Sequence, residues 1–296
     1  MNTPNIIGFH IYRNRALQNN GIEQAIDIIH TTLHDCGVAR NTYEPCVAMF
    51  IDGPRNTHIN VTPQEMRDMG ARVVFHAAYC NNPWANISDV RRGVLMDHIT
   101  HLCELCAMNE HGSDIVIHST TRMFDESINA PIMRELARIA QINVRGHIFV
   151  ETMANNAQYA SPRALNDAFA FAIGDTNTSN RLGICVDTAH IWGSGATIST
   201  REDCRAWFSE LRTDIPYALH LNDSEMARGS HRDIHANIGM GQIWEGVNDG
   251  YVSAIEWARM RRAPIILERK DVNLSSQNID ARADIVHDLR VIASSM

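Results

Sequence analysis

Leu182-Gly183-Ile184-Cys185-Val186 is a run of five residues without a charged or amide side chain, and it stops on Asp187. A short apolar run with no alternation reads as a strand buried on both faces, the condition of strands in a parallel sheet. Amphipathic stretches flank it, Ser161 to Ile173 before and Thr200 to Leu211 after. Helix and strand in alternation are the mark of βα units, in which each helix carries the chain back to start a parallel neighbour.

Working outward from this run, the same unit recurs along the chain. The strands are predicted at Asn5 to Phe9, Pro45 to Ile51, Arg72 to Phe75, Asp114 to Ile117, Gly146 to Val150, Leu182 to Val186, Tyr217 to Leu219 and Pro264 to Leu267. The helices are predicted at Ile22 to Cys36, Pro63 to Met69, Ser88 to Met108, Glu126 to Ile139, Ser161 to Ile173, Thr200 to Leu211, Trp244 to Met260 and Ser275 to Ala293. Thr62-Pro63, Ser161-Pro162 and Ser199-Thr200 put a hydroxyl residue at or near a helix N-cap, twice directly before a proline suited to the first turn. No repeat, low-complexity tract or linker interrupts the series. The expected fold is therefore α/β, a (β/α)8 TIM barrel, as a single domain over residues 1–296.

Such barrels build their sites at the C-terminal ends of the strands. The third to eighth predicted strands are followed at once by His76, His118, Glu151, Asp187, His220 and Glu268, all of them able to ligate a metal. His, Asp and Glu together are 49 of 296 residues, so solvated strand ends would account for one or two of these but not for six in succession. His190, three residues past Asp187, and Asp233-Ile-His235 in the next long loop raise the set to nine. Nine N and O donors exceed one tetrahedral zinc and suit two or three ions that share a carboxylate.

The bulk numbers agree with a folded enzyme. A hydrophobic share of 45% and a charged share of 20% supply a sizeable core. No run approaches a membrane span, and Met1-Asn-Thr-Pro lacks the basic and apolar regions of a secretion signal, so a cytoplasmic protein that is neither secreted nor membrane-bound is expected. Seven cysteines, an odd count, point to reduced thiols, with Cys103-x-x-Cys106 packed and inert inside a helix. The net charge of -8 argues against a nucleic-acid partner until three divalent ions are counted, which would bring it to about -2 and put the positive charge at the site. No glycine-rich phosphate loop follows the first strand, so no nucleotide cofactor is expected.

Ile117-His118-Ser119, Val150-Glu151-Thr152, Cys185-Val-Asp187-Thr-Ala-His190, Leu219-His220-Leu-Asn-Asp223, Gly229-Ser-His-Arg-Asp233-Ile-His235 and Ile266-Leu-Glu268-Arg269 resemble the motifs of the endonuclease IV family of abasic-site (AP) endonucleases, through nearly the whole chain. Gly53-Pro54-Arg55 and Ile191-Trp192-Gly193-Ser194-Gly195 look most like members encoded by large cytoplasmic DNA viruses. The resemblance implies three zinc ions, with manganese an alternative at one position. His76 and His118 would hold the first, and Glu151 would bridge it to a second held also by Asp187, His220 and Glu268. His190, Asp233 and His235 would hold the third. It implies a monomer acting on double-stranded DNA that contains abasic sites. The phosphodiester 5′ to the lesion would be hydrolysed to a 3′ hydroxyl and a 5′ deoxyribose phosphate, with trimming of blocked 3′ ends besides. Glu151 is the residue to orient the attacking water, and Arg55 and Tyr79 match positions that enter the DNA. Asn222 and the Gly229-Ser230 turn can be read as phosphate contacts or as orienting and turn elements.

Two rivals stand beside this reading. A metal-dependent sugar isomerase or epimerase on the same barrel uses a quartet like Glu151, Asp187, His220 and Glu268, but has no need of the other five donors. A damage-binding protein that keeps its metals only for folding would be expected to have lost at least one costly buried ligand.

Overall fold

The computed structural model describes residues 4–11, 21–50, 61–78, 81–85, 87–119, 126–173, 181–269 and 279–296. In chain order its strands are β1 (Asn5–His10), β2 (Tyr43–Phe50), β3 (Arg72–His76), β4 (Ser113–His118), β5 (Ile148–Glu151), β6 (Leu182–Asp187), β7 (Tyr217–His220), β8 (Asp223–Ser224), β9 (His235–Ala236) and β10 (Ile265–Leu267). The helices are α1 (Gly21–Asp35), α2 (Pro63–Asp68), α3 (Asp89–Cys106), α4 (Glu126–Ala140), α5 (Pro162–Ile173), α6 (Thr188–Ser194), α7 (Arg201–Ser209), α8 (Gly250–Arg261) and α9 (Ile279–Ser294). All strands except β8 and β9 close into one parallel barrel, in which β1 bonds to both β2 and β10. The eight strands are those read from the sequence, with ends displaced by a residue or two.

The helix starts follow from local chemistry. Thr62 and Glu65 form a capping box on α2: the Glu65 amide donates to the Thr62 hydroxyl at 3.2 Å, and the Thr62 amide donates to the Glu65 carboxylate at 2.6 Å. Thr200 caps α7 by accepting from the Asp203 amide at 3.1 Å. Three features differ from expectation. α8 begins at Gly250 rather than Trp244, because Trp244 is a buried loop residue, its indole N–H donating to the Ile198 carbonyl at 3.1 Å. α6 and the small β8–β9 hairpin were not expected at all.

Because side chains alternate across a strand, residues two apart share a face. One apolar group, Cys46, Ala48, Val74, Val116, Phe149, Cys185, Ala218 and Ile266, fills the barrel interior at mid-height. A larger apolar shell packs between strands and helices. Two residues back from Val74, Val116 and Phe149 stand Arg72, Asp114 and His147, which form a polar layer at the N-terminal end around the fully buried carboxylate of Asp114. There Asp114 accepts from Arg72 Nε and Nη2 at 3.2 and 2.8 Å and from the His147 amide at 2.9 Å. Two residues forward stand His76, His118, Glu151, Asp187, His220 and Glu268 at the opposite mouth. The interior is thus three layers: an ion pair below, hydrocarbon and thiol in the middle, and imidazole and carboxylate groups above.

The Cys103 and Cys106 thiols are buried in the outer shell, and burial pushes Cys103 up to about 12 and Cys106 well above its ordinary value, which keeps both as inert thiols. Among the described residues no helix is long and apolar enough to cross a membrane.

Candidate metal centre

The structure brings all nine side chains together in three contiguous groups. Glu151 Oε2 lies 3.1 Å from His76 Nε2 and 3.2 Å from His118 Nε2. Its other oxygen, Oε1, lies 2.7 Å from His220 Nδ1, which is also 3.4 Å from Glu268 Oε2 and 3.9 Å from Asp187 Oδ2. That Asp187 oxygen is 3.5 Å from His235 Nε2. His235 Nε2 and His190 Nε2 then flank Asp233, at 2.9 and 3.2 Å from its two oxygens. Glu151 therefore joins the first group to the second, and Asp187 joins the second to the third. Glu151, Asp187, His190 and His220 are buried, whereas Asp233 reaches in from a loop and is 47% exposed.

α6 explains how His190 arrives. Asp187 is its N-cap, its Oδ1 accepting from the His190 amide at 3.0 Å, so the last residue of β6 both closes the strand and starts the helix that carries the next donor. His231, at φ 57°, and Gly229, at φ 71°, turn the loop that delivers Asp233 and His235.

Whether these residues fit metal ions is answered by the ring nitrogens. His76 Nδ1 lies 2.9 Å from the Ala77 carbonyl, His190 Nδ1 2.6 Å from the Thr152 carbonyl and His235 Nδ1 3.3 Å from the Glu268 carbonyl. A carbonyl only accepts, so each Nδ1 carries the proton. Nε2 then faces carboxylate oxygen, an arrangement that requires positive charge at that nitrogen, either a second proton on the ring or a metal ion between the two. The Nε2 atoms of His190 and His235 are buried without a hydrogen bond of normal geometry, although Asp233 stands beside both. Backbone carbonyls fixing one ring nitrogen while the other faces carboxylates is how metal-binding histidines are held. The donor set fits zinc or a similar divalent ion.

The charges show the same frustration. Burial, the largest influence on Glu151, would raise its carboxyl, yet His220, His118 and His76 together hold it well below the ordinary range. Burial also works against protonation of His190 and His220, but their neighbours reverse the effect and carry both well above the ordinary imidazole value. Without ions, protons on the imidazoles compensate the buried carboxylates.

Asn222 and the Gly229-Ser230 turn resolve into the orienting reading. Asn222 is fully buried and donates from Nδ2 to Asp187 Oδ2 at 2.7 Å. The Gly229 and Ser230 amides are committed to the Trp192 and Ala227 carbonyls at 3.0 and 3.1 Å, so they do not point to solvent phosphate. Arg55 and Tyr79 lie outside the described residues. Two members of the site were not read from the sequence. Cys185 groups with Glu151 and His220 from the layer below. His10, at the end of β1, faces the mouth with its ring 6.5 Å from that of His76, and burial pushes its imidazole down to about 4. The signal was available, since His10 ends its strand as His76 ends β3.

Residues 46–294 match the family described as xylose isomerase-like TIM barrel. The chain belongs to that family. Among curated relatives it is 27% identical over 243 residues, 75% of this chain and 77% of the other, to an African swine fever virus protein (isolate Pig/Kenya/KEN-50/1950) named "Probable AP endonuclease". It is 28% identical over 184 residues, 60% of this chain and 58% of the other, to a protein of Mycoplasmoides gallisepticum named "Probable endonuclease 4". The barrel superposes on the solved structure AsfvAP:AG with TM-score 0.73 at 21% identity, covering 99% of both chains. On endonuclease IV of Thermus thermophilus the TM-score is 0.65 at 21% identity, covering 99% of this chain and 98% of the other. These superpositions show a shared fold.

Proposed function

We propose that this chain is an abasic-site endonuclease of base excision repair. It hydrolyses the phosphodiester 5′ to the lesion, leaving a 3′ hydroxyl and a 5′ deoxyribose phosphate, and trims blocked 3′ ends at the same centre. The observation that carries this reading is the continuity of three donor groups through Glu151 and Asp187, far more than a single-ion enzyme needs. The relatives named AP endonuclease and endonuclease 4 support it.

His76, His118 and Glu151 would hold one zinc. Glu151, Asp187, His220 and Glu268 would hold a second, and His190, Asp233 and His235 a third, with manganese an alternative at one position. When bound, such ions supply Lewis-acid chemistry, bringing a water's pKa to about 7 and offsetting charge on a phosphate. Glu151, central between the first two groups, orients the attacking water. The water oxygen joins phosphorus, the bond from phosphorus to the 3′ oxygen breaks, and the departing oxygen ends as a hydroxyl. Asp233, half-exposed, presents its group to the DNA at the rim. Selectivity comes from the substrate: a nucleotide without a base has lost stacking and pairing and flips out of the duplex cheaply. Arg55 and Tyr79 are the residues proposed to enter the DNA. The chain acts as a single-domain monomer in the cytoplasm.

The test is a duplex with one tetrahydrofuran abasic analogue, which cannot undergo β-elimination. Zinc-loaded protein should make one nick 5′ to the analogue, with a 3′ end that a polymerase extends. An intact duplex would overturn the proposal and send the protein to a panel of ketoses and aldoses, since the quartet Glu151, Asp187, His220 and Glu268 also suits an isomerase or epimerase.

A further inference from the structure

A line of buried side chains runs from the last helix to the centre of the site. Asp288 of α9 is fully buried. Its Oδ1 accepts from the Ile238 amide at 2.8 Å, and its Oδ2 accepts from Arg269 Nε at 2.6 Å. Arg269 Nη1 donates to Asn222 Oδ1 at 2.7 Å, and that oxygen also accepts the Glu268 amide at 3.0 Å. With its oxygen committed to two donors, the Asn222 amide can face only one way, and Nδ2 donates to Asp187 Oδ2. This is the same Asp187 oxygen that faces His220 and His235.

Asp288 thus holds two things at once. Through Arg269 and Asn222 it fixes the carboxylate of Asp187. Through the Ile238 amide it fixes the chain three residues beyond His235. Both are donors on the same side of the site, and neither reaches the group formed by His76 and His118. A buried ion pair is an expensive way to stabilise a fold, since hydrophobic residues of similar volume do as well. The planar, forked guanidinium of Arg269, however, can bond Asp288 and Asn222 together in fixed geometry, which a single ammonium cannot.

We propose that Arg269 and Asp288 are positioning residues that set how firmly the ions at Asp187 and His235 are kept, leaving the ion at His76 and His118 unaffected. This rests on the reading of the nine donors as metal ligands. The test uses the full-length, zinc-loaded protein, with Asp288→Asn and Arg269→Lys beside the wild type. Asp114→Asn serves as a control that breaks a buried pair at the other end of the barrel. Zinc per chain is measured after dialysis, and zinc release is followed with a chromogenic chelator.

Wild type should hold three ions. In both variants part of the zinc should leave roughly 10–100-fold faster, the scale seen when groups that orient metal ligands are lost, while one slow phase keeps its wild-type rate. Arg269→Lys keeps the charge opposite Asp288 and so gives the readout where Asp288→Asn does not fold. Release indistinguishable from wild type, or the same acceleration in Asp114→Asn, would overturn the proposal. A wild type holding one ion would defeat the three-ion reading separately, and the relay would then stand or fall on whether that ion's release rate changes in Arg269→Lys.

Discussion

Asp114→Asn removes the charge from the polar layer at the N-terminal end of the barrel. The native carboxylate takes two bonds from Arg72 through Oδ2, and through Oδ1 the amide of His147 at 2.9 Å and its ring Nδ1 at 3.0 Å. An asparagine can keep the His147 amide bond but must then turn an NH2 group toward the donors of Arg72, whose side chain is only 14% exposed. Leaving one partner of a buried pair uncompensated costs about 3–5 kcal/mol. At roughly 2–4 °C per kcal/mol for chains of comparable size, the Tm should fall on the order of 10 °C. The pH dependence has a definite sign. Burial alone pushes the Asp114 carboxyl up, but the Arg72 charge and the bonds from His147 outweigh it and hold it below the ordinary range. A group whose folded pKa is depressed contributes stability above its unfolded value, near 3.9, and that stability is lost as pH falls through the folded value. Melting of metal-free wild type and variant by circular dichroism should therefore show a wide gap at neutral pH that narrows only in acid below about pH 4. A gap under about 2 °C at neutral pH, or one that does not change in acid, would refute the reasoning.

Further outcomes follow from the same geometry. Glu151→Gln, which weakens the carboxylate shared by two groups, should reduce incision of the abasic analogue by more than the roughly 10–100-fold expected for an outer orienting residue, and unchanged turnover would contradict this. Zinc affinity should rise with pH through and beyond the ordinary imidazole range, because ions must displace protons that His190 and His220 hold more tightly than a free imidazole does, and a pH-independent competition titration would count against it. Chelation should lower the Tm, by about 4 kcal/mol of stability if free zinc had stood at about 1,000 times its Kd, and calorimetry in excess chelator reads this directly. Trp257→Ala should cost about 3–5 kcal/mol in urea unfolding, because Trp257 packs 4.5 Å from Phe208 and 5.0 Å from Tyr217 between α7, α8 and β7.

The barrel was legible because most strands centre on an apolar run buried on both faces and most are followed by a residue able to ligate a metal, so the run and its stop carry the same information. The donors were legible for a related reason: a period of two places Asp187 on the same strand face as Cys185 and Gly183, pointing inward. α6 was hidden because its N-cap Asp187 and its third residue His190 were read as site residues, although an Asp three positions before His190 is also a capping signal. Trp244 misled the reading of α8, since a buried loop tryptophan adds to helical periodicity as a helical one does. The sequence left two roles open for Asn222, a phosphate contact or an orienting group, and could not choose between them. Which way an amide points depends on Arg269 and Glu268, which are far along the chain and become neighbours only when β10 closes the barrel.

The three-ion centre is tested most directly by anomalous diffraction at the zinc edge from crystals of the zinc-loaded protein. Three peaks, one beside His76 and His118, one among Glu151, Asp187, His220 and Glu268, and one among His190, Asp233 and His235, are predicted. A single peak at the quartet, with the other five side chains bound only to one another, would contradict the account and favour the sugar isomerase or epimerase.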